Sequence, residues 1–370
     1  MKSIKKIYFA TLWIFGYLIL FDIAINVAFK YPKDPENRSP SKPAQFFEYG
    51  RSIEGKLTRM TRKTIDQSAR RISWGWIIEP EIRYFSDLRD SASHPTVTFY
   101  GMSHSVYLAE DLAKLDDSFV VRSLGAPGAV PTWAYAAYLS DKELLHSDVV
   151  VLSIMTRGVA LICTTSGTTN HFDSVCPYTY PRYYLSGGIL ASSSPPFLSA
   201  ESYLEYFYHP ENWNSYKNWL KQNDKYYNPL LFQKTILDNS SIIRMLRRAY
   251  AFSSQRKKEA RVYDNRNGFK VSSEEVEILK SIIVSFSEDA KRNNSLPILY
   301  LINNVSMGDH LYRVLEPTLA AHDILFLSSH VICPPNDPTN FDSTQHFIAP
   351  KNVLLAKAMV NLIKKNIKLD

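Results

Sequence analysis

The stretch Tyr100-Gly101-Met102-Ser103-His104-Ser105 is the starting point for the fold predicted for this chain of 370 residues. It follows an apolar run at 96–100 that is typical of a buried strand. It precedes apolar residues spaced as in a helix at 106–115. A serine on a tight strand-to-helix turn presents its hydroxyl at the carboxyl edge of a sheet, beside the N–H groups of a helix N-terminus. The stretch therefore predicts either a nucleophile, Ser103, or a plain helix cap supplied by Ser103 or Ser105.

The loop at 341–350 contains the partners that such a serine would need. It carries an acid, Asp342, and a histidine, His346, and it leads into a last amphipathic helix at 352–367. A histidine can serve as the base for a distant serine, and an acid can orient that histidine. Taken singly, His346 could be an ordinary surface histidine and Asp342 a turn former. The serine turn and this loop together favour a catalytic site.

Strand and helix patterns alternate along the chain around these two motifs. Strands are predicted at 96–100, 119–124, 148–155, 297–303 and 324–328, and helices at 106–115, 132–145, 272–293, 309–321 and 352–367. This alternation predicts an α/β fold, with a doubly wound parallel sheet of five strands covered on both faces. Ser103 follows the first strand, and Asp342 and His346 follow the fifth, so all three are expected at the same edge of the sheet.

A large insert rich in tyrosine and tryptophan follows the third predicted strand, at about 157–270. Flat amphipathic rings could form a platform for sugar rings. They could equally fill the core of a small helical cap, since 203–220 has helix-like spacing. Packing in such a core is the favoured interpretation.

The first thirty residues are predicted to be a membrane anchor. Three lysines precede an apolar run at 7–29 that is interrupted only by Asp22 and Asn26. The run is long enough to span a bilayer and lacks a good cleavage site, so an uncleaved signal-anchor at 1–30 is favoured. Asp22 would be costly in lipid and is expected to face a partner helix or the interface. We expect a linker and a partly helical basic stretch at 31–95, and the α/β domain at 96–370, outside the cytoplasm.

The composition bears on three questions: nucleic-acid binding, disulfide bonds and metal sites. The net charge is +7, but most cations are spread along the chain and no nucleic-acid-binding signature is present, so nucleic acid is not an expected partner. Three cysteines allow one disulfide, for which Cys163 and Cys176 are the plausible pair, leaving Cys333 free. No cysteine or histidine spacing is typical of a metal site, and neither a metal nor a cofactor is expected.

Three blocks of the chain together resemble the SGNH, or GDSL, hydrolase superfamily. Gly101-Met102-Ser103 is similar to its nucleophile motif, Leu124-Gly125-Ala126-Pro127-Gly128 to its block with an oxyanion glycine, and the final loop to its histidine loop. The resemblance covers about 96–155 and 297–367. It implies a flavodoxin-like sheet and the activity of an esterase, lipase, deacetylase or acyltransferase. It also implies roles for Gly128 as an oxyanion donor and for His346 as the base.

The chain departs from the family pattern at three places. Met102 replaces the aspartate of Gly-Asp-Ser, and Arg157 stands where the family has an asparagine donor. Asp342 lies four residues before His346 rather than three, and Asp337 is a second candidate for the acid. A misplaced orienting acid lowers activity without necessarily abolishing it, so both an active and a degenerate site remain open.

The sequence predicts a membrane-anchored serine esterase or O-acyltransferase. Ser103 would attack an acyl carbonyl, His346 would take its proton, and Asp342 would orient the imidazole. The N–H groups of Ser103 and Gly128, with Arg157, would hold the oxyanion. The resemblance implies an acylated cell-envelope or exported polysaccharide as the substrate. The alternative is a non-catalytic domain that binds a glycan or an envelope assembly partner.

Overall fold

A computed structural model describes residues 2–32, 38–61, 70–85 and 94–367. The remaining parts of the predicted linker and basic stretch lie outside the described residues. The chain forms two compact units, the first from 1–65, 171–175 and 227–256, and the second from 66–170, 176–226 and 257–370. The predicted insert, about 157–270, contributes residues to both units.

The strands are β1 Ile82–Tyr84, β2 Thr96–Gly101, β3 Val120–Gly125, β4 Val149–Met155, β5 Arg182–Ser186, β6 Ile189–Ser193, β7 Tyr263–Asp264, β8 Gly268–Phe269, β9 Leu296–Ile302 and β10 Leu325–Ser328. The helices are α1 Lys2–Ala28, α2 Lys42–Glu48, α3 Ile53–Met60, α4 Arg70–Ser73, α5 Ser103–Leu115, α6 Pro131–Asp141, α7 Thr156–Val159, α8 Gly167–Asn170, α9 Ala200–Tyr208, α10 Pro210–Asn223, α11 Pro229–Phe232, α12 Ser241–Glu259, α13 Glu274–Arg292, α14 His310–Ala321 and α15 Ala349–Asn366.

The second unit is built on a six-stranded sheet in the order β1-β3-β2-β4-β9-β10. All neighbours in it are parallel except β1 and β3. The predicted α/β class and the mostly parallel sheet are confirmed, and each predicted strand lies within about one residue of an observed one. The sheet has six strands and not five, because β1 is a three-residue edge strand, too short to give an alternating pattern.

Helices cover both faces of this sheet. Helix α5 packs on β2 and β3 and against α15, while α6 packs on β2 and β4 and against α13. Helix α5 connects β2 to β3, and α6 connects β3 to β4, which lies on the other side of β2. The two connections thus run in opposite directions along the sheet. Because both are right-handed, α5 and α6 lie on opposite faces of the sheet. The residues of β2, β3, β4 and β9 are buried almost throughout, as expected for a parallel sheet covered on both faces.

A charged pair lies inside this core. Arg122 on β3 and Asp141 at the end of α6 are 1% and 2% exposed, and two hydrogen bonds of 3.0 and 2.6 Å join them side by side. Tyr100 donates its hydroxyl to Asp141 Oδ2 at 2.6 Å, and Arg122 Nε donates to Thr98 Oγ1 at 2.8 Å. The network ties β2, β3 and α6 together just before the serine turn. No sequence pattern predicted it.

Many aromatic side chains of the insert are buried in a core, which is the interpretation that the sequence favoured over a sugar platform. Tyr178 and Tyr180 are fully buried, and Tyr203 packs against Trp76 with ring centroids 5.7 Å apart. The predicted disulfide is wrong: within 94–367, which is described throughout, Cys163 and Cys176 are not joined. Both thiols are buried as small apolar groups, and burial raises the pKa of Cys163 to about 12.

The first unit contains α1, α2, α3, α11 and most of α12. Of the helices described, α1 alone is long and apolar enough to cross a membrane, over 6–28. Asp22 and Asn26, near the end of its apolar run, both meet α12. Asp22 Oδ1 accepts from the Ile242 N–H at 3.0 Å, and Asn26 Oδ1 accepts from Arg244 Nη2 at 2.8 Å. The expectation that Asp22 faces a partner helix is therefore met within the chain itself.

Candidate active site at the carboxyl edge of the sheet

The serine turn is shaped by close packing at its glycine. A Cβ on Gly101 would lie 2.7 Å from Ser153 Cβ and 2.8 Å from Ser105 Oγ, so only glycine fits between β2, β4 and α5. The Met102 side chain is buried and its residue caps α5 without a side-chain hydrogen bond. Ser105 instead donates to Met102 O at 2.6 Å. In this continuously described part of the chain, neither Ser103 nor Ser105 acts as the helix cap.

Ser103 meets His346 at the edge of the sheet. Ser103 is the first residue of α5, its side chain is exposed, and its Oγ lies 2.7 Å from His346 Nε2. The two residues are 243 positions apart in the chain. The distance lies within the range for a nucleophile and its base. The structure thus brings together the two residues that the sequence placed after the first and last parallel strands.

Thr344 stands between His346 and Asp342. Thr344 Oγ1 lies 2.7 Å from His346 Nδ1 and donates to Asp342 Oδ1 at 2.6 Å. If the threonine hydroxyl donates to the carboxylate, it must accept from Nδ1–H, which leaves Nε2 free to accept the Ser103 proton. This tautomer is assigned from the hydrogen-bond network. The polar groups therefore form a continuous chain from the serine through histidine and threonine to the aspartate.

Asp342 orients the loop rather than touching the imidazole. Its Oδ1 accepts from the backbone N–H of Thr344 at 2.7 Å and of His346 at 3.1 Å. Hydrogen bonds, first of all from the Thr344 hydroxyl, hold the pKa of Asp342 below its usual value. The expected direct contact of Asp342 with the ring is thus replaced by a contact through Thr344. Sequence reasoning missed Thr344, although Asp-x-Thr is typical of a turn in which an aspartate binds the residue two positions on.

The second candidate acid, Asp337, has a different role. Its Oδ1 accepts from Thr339 N at 3.0 Å and from Thr339 Oγ1 at 2.6 Å. It is the N-cap of a short 3₁₀ helix at 338–340. These contacts make Asp337 a cap for the loop, and Asp342 is the acid that connects to His346.

The two further residues predicted for the oxyanion site, Arg157 and Gly128, follow β4 and β3 at the same edge of the sheet. Arg157, in α7 after β4, donates from Nη1 to Gln345 Oε1 at 2.8 Å, next to His346. Gly128 follows β3 and has a positive φ of 65°. Its loop is tied to the serine turn, because the Ala126 N–H donates to Gly101 O at 3.1 Å.

His104 is a site residue that sequence reasoning missed. Its ring is buried and stacks on that of His346, with centroids 4.6 Å apart and planes at 29°. Burial, and then the neighbouring His346, lowers the pKa of His104 to about 4, so this ring is neutral near pH 7. Tyr107 approaches His346 edge-on at 5.2 Å. The two rings fix the imidazole in place. Their positions, one and four residues after Ser103 and near the start of the helix predicted at 106–115, were the available signal.

What the site can do follows from its own geometry. Comparisons of the chain with family models, with curated proteins and with solved structures find no match. Among the described residues, no group of three or more histidine, cysteine or acidic side chains is arranged to hold a metal ion. The arrangement supplies an exposed serine oxygen, an imidazole poised to take its proton, and a helix N-terminus whose first N–H groups have no intrahelical partner.

Proposed function

We propose that this protein is a serine esterase or O-acyltransferase that forms an acyl-enzyme on Ser103. The 2.7 Å contact between Ser103 Oγ and His346 Nε2 is the observation that carries the proposal. A serine hydroxyl is a weak nucleophile unless an adjacent base accepts its proton as it attacks. The exposed position of Ser103 leaves its oxygen open to an acyl carbonyl.

In the first step, Ser103 Oγ forms a bond to the carbonyl carbon while its proton passes to His346 Nε2. The imidazolium then gives this proton to the leaving alcohol as the acyl–oxygen bond breaks. Water or a sugar hydroxyl next attacks the acyl carbon and loses its proton to Nε2. The bond between Ser103 Oγ and the acyl carbon then breaks, and Oγ recovers the proton from the imidazolium. Thr344 and Asp342 support the positive ring during both steps, through the chain of hydrogen bonds from Nδ1.

The developing oxyanion needs donors beside Ser103. The first turn of α5 offers backbone N–H groups and the positive end of the helix dipole. In the proposed arrangement the N–H groups of Ser103 and Gly128 bind the oxyanion. Arg157, held by Gln345 next to His346, adds a charged donor in place of the asparagine of the SGNH pattern.

The sheet supports the proposed SGNH relationship. Its five parallel strands, taken in chain order, lie side by side as 2-1-3-4-5, which is the flavodoxin-like order. In such sheets ligands bind at the carboxyl ends of the strands. Ser103 directly follows β2 and His346 follows β10, so the proposed reaction occurs at this edge.

We further propose that the substrate is an acylated polysaccharide outside the cytoplasm. Helix α1 is long and apolar enough to hold the protein in a membrane as a single span. A domain tethered at a membrane reaches substrates of the cell envelope, including large glycans that no internal cavity could enclose. The proposed orientation places the α/β domain on the extracytoplasmic side.

A non-catalytic binding domain is the second candidate. Met102 is buried where the SGNH pattern has a carboxylate, and Asp342 reaches the imidazole only through Thr344. Both features would suit a fold that has kept its shape for binding a glycan or an envelope assembly partner. The closeness of Ser103 and His346 favours the enzyme, since binding alone does not require a nucleophile next to a base.

Labelling with a fluorophosphonate, which reacts with activated serines, separates the two candidates. The full-length protein in detergent should be labelled, and Ser103→Ala should abolish the label. Ser343→Ala is the matched control, because Ser343 is an exposed serine in the histidine loop and should leave labelling unchanged. A folded wild-type protein that takes up no label would instead support the binding domain.

A further inference from the structure

The first unit contains a positively charged cavity next to the end of α1. The cavity measures about 250 Å³ and is lined by Lys30, Arg51, Arg59 and Arg244, together with neutral side chains that include Asn26. Four cationic side chains around one small space repel one another and favour an anion between them. The proposed active site lies in the other unit and uses none of these residues.

Among the described residues, one carboxylate, that of Glu48, pairs with all three arginines. Glu48 Oε1 pairs with Arg51 Nε and, at 2.9 Å, with Arg59 Nη1, while Oε2 pairs with Arg244 Nη1 at 3.1 Å. Glu48 therefore neutralises one of three guanidinium charges, and Lys30 adds a fourth positive group. The cluster keeps a net positive charge that a ligand could balance.

Two nearby aspartates offset only part of this excess. Asp22 Oδ1 accepts from the Ile242 N–H, and its negative charge also favours the charged form of Arg244. Asp238 pairs with a further arginine, Arg247, and accepts from the Ser52 hydroxyl. Among the described residues, four cations of the lining therefore face two carboxylates, those of Glu48 and Asp22. Burial lowers the pKa of Arg59 to about 10 and also lowers that of Arg244. Both guanidinium groups nevertheless stay charged near pH 7 and lack the solvation that water would give them.

Arg244 lines the cavity and is only 6% exposed. Its Nη1 and Nη2 bind Glu48, Asn26 and Ser241, while its buried Nε has no hydrogen-bond partner among the described residues. Burying a charged group with an unpartnered donor is costly. Negative charge in the cavity would stabilise this guanidinium electrostatically.

The position of the cavity along the chain indicates the source of the anion. Its lining includes residues 29–32, which directly follow the apolar helix, where a spanning segment reaches the lipid headgroups. Asn239 also lines it and belongs to a 3₁₀ turn in which Ile236 is 84% exposed. An exposed apolar side chain beside a cationic cavity matches the boundary between acyl chains and headgroups.

We propose that this cavity binds the phosphate group of an anionic membrane lipid. Arg51, Arg59 and Arg244 supply guanidinium donors, and Lys30 supplies an ammonium group. Guanidinium forks match phosphate oxygens closely. A bound lipid would fix the end of α1 against α2, α3 and α12.

Native mass spectrometry of the full-length protein in a neutral detergent can test this site. Phosphatidylglycerol is titrated against phosphatidylcholine with the same acyl chains, and inorganic phosphate is added as a competitor. The wild type should retain one phosphatidylglycerol in preference to phosphatidylcholine. In Lys30→Gln/Arg59→Gln the half-saturating concentration should rise about tenfold or more, since two charged contacts are lost.

The control is Arg256→Gln, which removes an exposed positive charge from α12 outside the cavity lining and should change binding less than about twofold. Arg59 is chosen because its side chain is 30% exposed, and an unchanged thermal midpoint will show that the variant is folded. Equal lipid retention by both variants would overturn the proposal. So would equal retention of the two lipids, or displacement of the lipid by an equal concentration of inorganic phosphate.

Discussion

The Arg122–Asp141 pair in the core and the Ser103–His346 pair at the sheet edge have similar lengths, 2.6 and 2.7 Å, but opposite surroundings. The Arg122–Asp141 pair is buried, and each of its polar groups is the hydrogen-bond partner of another buried group. The second is open, with an exposed serine and an exposed aspartate at the ends of its hydrogen-bond chain. The buried network should therefore determine stability, and the open network should determine activity.

The largest expected effect concerns the open pair. His346→Ala removes the base, so esterase activity on an aryl acyl ester should fall by about 10⁴-fold or more. Stability should change by less than about 1.5 kcal/mol, because only partly exposed hydrogen bonds are lost. His322→Ala, an exposed histidine at the end of α14, is the control and should retain full activity. A large loss of stability in His346→Ala would remove the contrast between the two networks.

The buried pair should show the reverse behaviour. Asp141→Ala leaves Arg122 as an uncompensated charge in the core and should reduce the free energy of unfolding by about 3–5 kcal/mol. Asp342→Ala removes an exposed carboxylate and should reduce the free energy of unfolding far less. Urea unfolding followed by tryptophan fluorescence measures both. Similar losses in the two variants would contradict the assignment of separate roles.

His104 belongs to both categories, since it is buried but lies against the open pair. Its pKa is about 4 in the folded protein, below the ordinary value of 6.5. The unfolded chain binds the extra proton first, so stability is fully present above pH 6.5 and falls toward pH 4, by about 2–3 kcal/mol. His104→Phe should flatten this slope in unfolding free energy measured from pH 7 to pH 4. An unchanged slope would show that His104 does not cause it.

The smallest effect is expected at Thr344. Thr344→Val keeps the shape of the side chain but breaks the hydrogen-bond chain from His346 Nδ1 to Asp342. Activity should fall roughly 10- to 100-fold, as for other groups that orient a functional histidine. Thr344→Ser keeps the hydroxyl and should retain most of the activity. Equal activity of the valine and serine variants would show that the threonine only fills space.

The sequence predicted those parts of the fold that depend on a single local pattern of residues. The strand-to-helix turn at Ser103 and the alternation of apolar runs predicted the parallel strands and the edge that they share. The two compact units could not be foreseen, because 171–175 and 227–256 join the N-terminal residues through contacts between segments far apart in sequence. The edge strand β1 was missed because three residues carry no recognisable period.

At the site, the residues that lie together were easier to predict than the hydrogen bonds that connect them. Ser103 and His346 stood out as a nucleophile and a base, but which atom of the loop meets Nδ1 depends on how the turn at 342–346 closes. The Thr344 side chain, and not the carboxylate, reaches the ring, since Asp342 is occupied by backbone N–H groups. The stacking of His104 likewise depends on the direction in which α5 starts, which no periodicity in the sequence reveals.

In the proposed reaction Ser103 carries an acyl group for part of each turnover, and intact-mass spectrometry can detect this group. Wild-type protein mixed rapidly with an aryl acyl ester and quenched in acid should carry one added acyl group, as expected for a serine acyl-enzyme. Peptide fragmentation should locate it on Ser103, and Ser103→Ala should gain none. An acyl group on another residue during turnover, or turnover by Ser103→Ala at the wild-type rate, would contradict the account.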